Sequence, residues 1–197
     1  MSESIKEKGV LSPALVRKKA NGKYEMISGH RRKKASELAN LDTIPCIVRN
    51  LSDEEATIIM VDSNLQREKV LPSERAFAYK MKLEALNHQG KRNDLTSCQV
   101  GTKLPSAKEL GQEYGDSERQ VYRYIRLTYL IPKLLDYVDN YVIKDKDKVS
   151  IALSPAVEIS YLTKEEQESL LDYIEMNEIT PSQSQAIELK NMSQEKT

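Results

Sequence analysis

The sequence predicts an α+β protein that is mainly helical, with a small α/β unit first, an all-α helix-turn-helix region second and a helical tail last. The first fifty residues alternate short apolar runs with turn residues, whereas from Ser52 onward apolar residues recur at helical spacing behind serine-led helix starts. Charged residues make up 30% of the 197-residue chain, and only Phe77 and ten tyrosines supply aromatic bulk, which suits helices over thin cores.

Taken in order, Ala14–Lys18 and Tyr24–Ser28 read as strands joined across Asn21-Gly22, a tight-turn dipeptide. Gly29 opens a helical stretch to about Asn40, and Thr43–Val48 reads as a third strand. With the Ser4–Lys8 segment these form the α/β unit. Ser52-Asp53-Glu54-Glu55 is a capping box, in which the serine hydroxyl takes a backbone N–H and Glu55 reaches back, and its helix extends to about Gln66. Pro72-Ser73-Glu74 starts another helix, with Ala76, Phe77, Tyr79, Leu83 and Leu86 on one apolar face and an end near Gly90. Residues 91–104 read as a loop or a short helix. Past Pro132, the charged run Asp139–Lys148 marks a boundary, and helices follow over Pro155–Leu162, Lys164–Met176 and Pro181–Asn191. The expected domains are residues 1–66, 67–138 and 139–197.

Formal net charge is zero, yet Lys+Arg less Asp+Glu is +6 over residues 1–50, +1 over 51–135 and −7 over 136–197. A basic front and an acidic rear suit a molecule that meets polyanions with one end. Cys46 and Cys98 lie far apart and His30 and His88 are the only histidines, so neither a zinc site nor a disulfide framework is supported. Cys46, alternating with Ile44 and Ile47, reads as core, and His88 as surface. There is no apolar signal region at the start, and no run approaches the roughly 18 apolar residues of a membrane span. A cytoplasmic protein without a membrane partner is expected.

The most informative segment is Ser106–Leu130. Ser106-Ala107-Lys108-Glu109 and Ser117-Glu118-Arg119-Gln120 are both capping boxes, and the first helix ends at Tyr114-Gly115, leaving about three residues between the two helices. So short a link forces a steep crossing, with Leu110 facing Val121 and Tyr124 or Ile125, and Gly111 permitting close approach. The second helix then offers Ser117, Arg119, Gln120, Tyr122, Arg123 and Arg126 to double-stranded DNA, the early residues to base edges and Arg126 to a phosphate or a core-side carboxylate. The alternative is an ordinary helical hairpin with solvated arginines.

A second feature breaks a local rule. Ser28-Gly29-His30-Arg31-Arg32-Lys33-Lys34 puts four formal cations in the first turns of a helix, where the helix dipole is already positive and each costs a few tenths of a kcal/mol unless an anion is bound. Free N–H groups, a glycine and two guanidiniums together read as a phosphate pocket, or else as a solvated basic patch.

Gly29-His30-Arg31-Arg32-Lys33-Lys34-Ala35 resembles the GERRxRA box of the ParB partition family, preceded by Gly9-Val10-Leu11-Ser12-Pro13 and the Tyr24–Ile27 strand. Asn64-Leu65-Gln66-Arg67-Glu68 resembles that family's ENxQRE segment, and Ser73-Glu74-Arg75-Ala76 and the helix-turn-helix follow in family order. The wording Asp62-Ser63-Asn64 is similar to a variant found with mobile elements of Gram-positive bacteria. Ser63 and His30 each stand where the family has Glu, and the chain starts after the family's usual first strand and ends before its usual dimerisation domain. The resemblance implies binding of a centromere-like DNA site by a homodimeric clamp, a ParA-type ATPase partner, association with the nucleoid, and CTP with Mg²⁺, hydrolysed slowly. By position, Gly29, His30, Arg31 and Arg32 would hold the triphosphate and Asn64 and Arg67 would complete the site; for the last two, a helix cap and a surface ion pair are the alternative. The acidic Lys164–Met176 helix, with its Leu170, Leu171 and Ile174 stripe, reads either as a docking element or as plain core.

Overall fold

The computed structural model describes residues 2–67, 69–94, 107–144 and 148–195. They form two compact units, one from the described residues of 1–64 and 84–102, the other from those of 65–83 and 103–197. Among them no helix is long and apolar enough to cross a membrane.

The first unit holds α1 (Ser2–Lys8), β1 (Ala14–Lys18), β2 (Tyr24–Ser28), α2 (His30–Leu38), β3 (Cys46–Arg49) and α3 (Asp53–Leu65). The strands lie in the order β2-β1-β3, β1 antiparallel to β2 and parallel to β3. The hairpin closes on Lys19 and Lys23: Gly22 takes φ +77° and its N–H donates to Lys19, while Asn21 Oδ1 accepts from Lys23 N at 3.0 Å, as a glycine-terminated turn requires. The parallel return to β3 needs a crossover, which α2 supplies. Ile5, Ala35 and Ala39 pack together under Val10, and Ala14, Val16 and Ile27 are buried in the sheet. The capping box ahead of α3 is reciprocal, with Glu55 N donating to Ser52 Oγ at 3.2 Å and Ser52 N to Glu55 Oε2 at 2.8 Å.

Two expectations need correction in this unit. The third strand starts at Cys46, not Thr43, because Pro45 has no N–H for the ladder and contributes only its carbonyl, to Ala14 N at 2.9 Å. Cys46 is exposed rather than core, since β3 is an edge strand whose Ile47 and Val48 are also about half exposed.

Arg17, buried on β1, ties the sheet to α3. Its guanidinium bonds Glu25 at 2.6 Å and Asp53 at 2.5 Å. Burial works against its charge, but the two carboxylates more than offset that and raise its pKa.

The second unit contains α4 (Pro72–Asp94) as far as Leu83, then α5 (Ala107–Tyr114), α6 (Glu118–Leu127), α7 (Pro132–Ile143), α8 (Leu153–Ile159), α9 (Lys164–Asn177) and α10 (Gln183–Glu195). One core runs through all but α5: Ala76, Leu127, Leu134, Val138, Ile151, Ile159, Ile174 and Ala186 belong to a single cluster. The charged run from Asp139 does not end a helix, because α7 continues to Ile143. Asp139 itself is buried and accepts from Ser73 N at 2.9 Å and Ser73 Oγ at 2.5 Å, so it caps the start of α4. On α4 the buried arc holds Ala76, Ala78, Tyr79, Lys82 and Ala85; Phe77 lies off it and is 47% exposed, contrary to the expected face. The helix also passes Gly90, and residues 95–104 of the expected loop lie outside the described residues.

Glu25 accepts from Lys19 as well as Arg17, and these bonds hold its carboxyl below the usual glutamate range. A depressed carboxylate contributes stability above its unfolded pKa, about 4.3, and loses that contribution as the pH falls through the lower folded value. The stability advantage of the native chain over Glu25→Gln should therefore be full near neutrality and vanish in acid. Urea titrations from about pH 6 downward check this; parallel stability curves for the two proteins would contradict it.

Candidate nucleic-acid interface

The α5–α6 link consists of Gly115, Asp116 and Ser117. Gly115 takes φ +77°, which releases the chain from α5. Asp116 N then donates to Gly111 O at 2.8 Å, and a Cβ on Gly111 would lie 2.5 Å from Asp116 O. Only glycine lets the turn close this tightly. Ser117 caps α6 by accepting from Gln120 N at 3.2 Å, and Leu110 and Val121 are buried beneath the crossing.

The turn is fastened to α4 by its own carboxylate. Asp116 Oδ2 accepts from Tyr79 Oη at 2.5 Å and from Arg75 Nη1 at 3.0 Å. The fully buried Tyr79 ring lies 6.1 Å from Tyr114 on α5 and 6.0 Å from Tyr124 on α6, and Lys82 lies over Tyr114 while bonding its hydroxyl at 2.7 Å. Burial, and then the bond to Asp116, raise the pKa of Tyr79 well beyond the ordinary phenol range, so its proton stays on the donor.

On the open side, Arg119 and Tyr122 are exposed and Gln120 is half-buried. Arg123 reaches Ser154 Oγ at 2.6 Å and Gln120 Oε1 at 3.4 Å. Arg126 is held most firmly, 3.8 Å from the centre of the Tyr161 ring and 4.5 Å from that of Tyr129, with bonds to Ser160 Oγ at 3.0 Å and Ser160 O at 2.8 Å. Its partners are a hydroxyl and a carbonyl rather than a carboxylate. Ser117, Arg119, Tyr122, Arg123 and Arg126 share one open groove of about 830 Å³ with Tyr129 and Tyr161. Ser106 lies outside the described residues. Sequence reasoning missed Ser154, Ser160 and Tyr161, because no local spacing connects α8 and the turn after it to α6, and also Tyr129, whose place three residues after Arg126 is the one local signal.

A second cluster of sequence-singled residues sits in the first unit. Gly29 is the N-cap of α2 at φ +113°, and a Cβ there would come within 2.7 Å of Ala14 Cβ. The first intrahelical bond is Lys33 N to Gly29 O, so the N–H groups of His30, Arg31 and Arg32 have no partner within the helix. Arg32 donates to Ser12 O at 2.6 Å and Pro13 O at 2.8 Å, while Lys33 and Lys34 pair with Glu37 at 3.3 and 3.6 Å. His30 and Arg31 are exposed. Ser28 Oγ and Ser63 Oγ are 2.9 Å apart, which brings the end of α3, with half-buried Asn64, to the start of α2. Arg67 belongs to the second unit, exposed and 4.0 Å from Glu74; Glu68 lies outside the described residues. Among the described residues no three His, Cys, Asp or Glu side chains gather as metal ligands.

Residues 1–65 match the family model of the ParB N-terminal domain. The first third of the chain is a ParB-family N-terminal domain. A nucleoid occlusion protein of Listeria innocua is 31% identical over 186 residues, 94% of this chain and 57% of that protein. Two crystal structures of the C-terminally truncated chromosome-partitioning protein ParB from Caulobacter crescentus also align with it. The one complexed to the centromeric parS site has 22% identity and a TM-score of 0.47, over 98% of this chain and 87% of that one. The one complexed with CTP-gamma-S has 27% identity and a TM-score of 0.32, over 88% and 82%. The chain spans 31% to 57% of the length of the first curated relatives it matches.

The tight α5–α6 turn yields a ranking. Gly111→Ala must push a methyl into a backbone oxygen and is expected to cost about 3 kcal/mol, the upper end for overpacking. Gly115→Ala, with open space around it, meets only the left-handed backbone penalty of about 1 kcal/mol. Urea unfolding of both variants checks the order, and a larger loss for Gly115→Ala would show that the close approach does not constrain the turn.

Proposed function

We propose that this chain is a ParB-family, DNA-binding partition protein that reads a centromere-like site in duplex DNA through α6. The observation that carries this is the glycine-closed α5–α6 pair that leaves Arg119, Tyr122 and Arg123 along one open groove, with half-buried Gln120 bonded to Arg123 beside it. Arg119 and Gln120 stand in the first turn of α6, where a recognition helix meets base edges; arginine suits guanine and glutamine suits adenine. Arg123 and Arg126, later in the helix and hydrogen-bonded to the serines of α8 and its end, suit phosphates, which fix register without reading sequence. Two such helices in a homodimer would read two half-sites about one helical turn apart. The working compartment is the cytoplasm, on the nucleoid, and a ParA-type ATPase would be the motor partner.

In the first unit the proposed ligand is CTP. Gly29 and the free N–H groups of His30, Arg31 and Arg32 form a helix N-terminus suited to a phosphate, with the Arg31 side chain as its guanidinium. Arg32 orders the Ser12-Pro13 turn beside them, and Asn64 enters from the end of α3. With Ser63 in place of a carboxylate, Mg²⁺ would be held through phosphate oxygens and waters, its usual environment. Any hydrolysis would be slow and serve to reset the dimer. A nucleoid occlusion role is the second reading, favoured by the relative that matches 94% of this chain; mapping the bound sites in cells separates a single clustered locus from sites spread over the nucleoid.

Selection on random DNA should enrich a palindrome. Against that site, Arg119→Ala and Gln120→Ala should each lose about 1–3 kcal/mol of discrimination, read by fluorescence anisotropy against random duplex, whereas Arg123→Ala should weaken binding to both duplexes alike. An undiminished preference for the selected site in both of the first two would end the DNA-reading proposal. Calorimetry of the full chain with CTP and Mg²⁺ should give saturable heat that Arg31→Ala weakens, whereas no heat from the native chain would remove the nucleotide from it.

A further inference from the structure

The acidic end of the chain has a surface that neither DNA nor nucleotide explains. α9 and α10 both anchor in the common core, through Ile174 and Ala186, each fully buried. Between them they leave an open groove of about 760 Å³. Its floor is aliphatic, with Leu162, Leu170 and Leu189. At its edges Met192 is 51% exposed, Ile179 59% and Tyr173 57%, a run of large apolar side chains facing water. One end is closed where Ser193 Oγ donates to Glu166 Oε2 at 2.6 Å. The stripe singled out in the sequence thus divides: Ile174 points into the core and Leu170 into the groove.

The rim fixes the chemistry of an occupant. Glu165 on α9 and Glu188 on α10 are exposed on opposite walls, and among the described residues no lysine or arginine lines the groove. Residues 136–197 hold six Lys+Arg against thirteen Asp+Glu, so the surrounding field is negative as well. A nucleic acid is repelled by such a surface. A second copy of the same face would set glutamate rim against glutamate rim. An apolar floor between two walls of like negative charge fits the helix-in-groove mode of recognition.

We propose that the α9–α10 groove binds a cationic amphipathic helix of a partner protein, with leucine-type side chains on the floor and lysines or arginines against Glu165 and Glu188. The interaction is independent of the DNA and nucleotide readings, since none of their residues line this groove.

The test uses the full chain and a fluorophore-labelled leucine–lysine peptide of about five helical turns, followed by anisotropy. The native chain should bind it saturably, and the matching leucine–glutamate peptide should not bind. Glu165→Lys with Glu188→Lys should weaken binding roughly tenfold or more, as loss of two close complementary charges does, and Met192→Asp should weaken it comparably by placing a charge at the apolar edge. Glu168→Lys with Asp172→Lys changes net charge equally on α9 but outside the groove, and should shift affinity much less. Circular dichroism melts confirm that each variant is folded. Equal losses from the two charge reversals would reduce the effect to general attraction and overturn the proposal, as would binding indifferent to all three variants. Sedimentation showing self-association that Met192→Asp abolishes would assign the groove to a second copy instead, and would overturn it too.

Discussion

A single carboxylate governs the pose of α6. Asp116 occupies the middle of the three-residue link and receives two donors from α4, the Tyr79 hydroxyl and the Arg75 guanidinium. Half-enclosed charges bonded in this way are stronger than neutral hydrogen bonds, and removing either donor would leave an ion short of partners where water is scarce. The backbone has little slack with which to compensate, because not even a methyl group fits between Gly111 and the Asp116 carbonyl. The angle of α6 therefore follows from contacts made on the side away from the groove. Helix pair and supporting helix behave as one piece, with Tyr79 as the pin between Tyr114 and Tyr124.

That rigidity decides what the α6 arginines can do. A solvated arginine gives up rotamer freedom when it binds, and a pre-positioned one gives up less. Arg126 has already been ordered by two tyrosine faces and Ser160, and Arg123 by Ser154 and Gln120. Arg119 is exposed and keeps its freedom. The order along the helix is therefore adaptable at the start and fixed further on. That gradient suits base edges, which differ from site to site, at the beginning and phosphates, which do not, towards the end.

Local signals in the sequence were legible to within a residue or two where short-range chemistry decides the structure. The β1–β2 hairpin, the Ser52 capping box and the Gly115 exit are each settled by neighbours in the chain. What sequence reading missed is settled by residues far away. Asp139 looked like part of a polar boundary because nothing nearby reveals that Ser73, sixty-six positions earlier, will take both its oxygens. Phe77 looked like core because its hydrophobicity was visible and the direction of the buried arc was not. Cys46 alternates as a core strand should, yet the sheet ends at β3, and an edge position cannot be read from period alone. The Tyr161 wall of Arg126 belongs to the same class, being brought there only by the packing of α8 on α6.

The cation-rich start of α2 shows the same division in energetic terms. Four formal positive charges at a helix N-terminus look, from sequence, like a large unmet demand for an anion. The fold meets most of it internally: Glu37 serves Lys33 and Lys34, and the carbonyls of Ser12 and Pro13 serve Arg32. What remains is Arg31, which is exposed, and the three first-turn N–H groups around Gly29. Ser63, uncharged and bonded to Ser28, adds no carboxylate that would compete for those donors. The residual site is thus smaller than the motif suggests but directional, since backbone N–H groups cannot be turned away as side chains can. An anion held there would be recognised chiefly by the helix end, with one guanidinium in support, and Arg32 would act on it by holding the preceding turn in place.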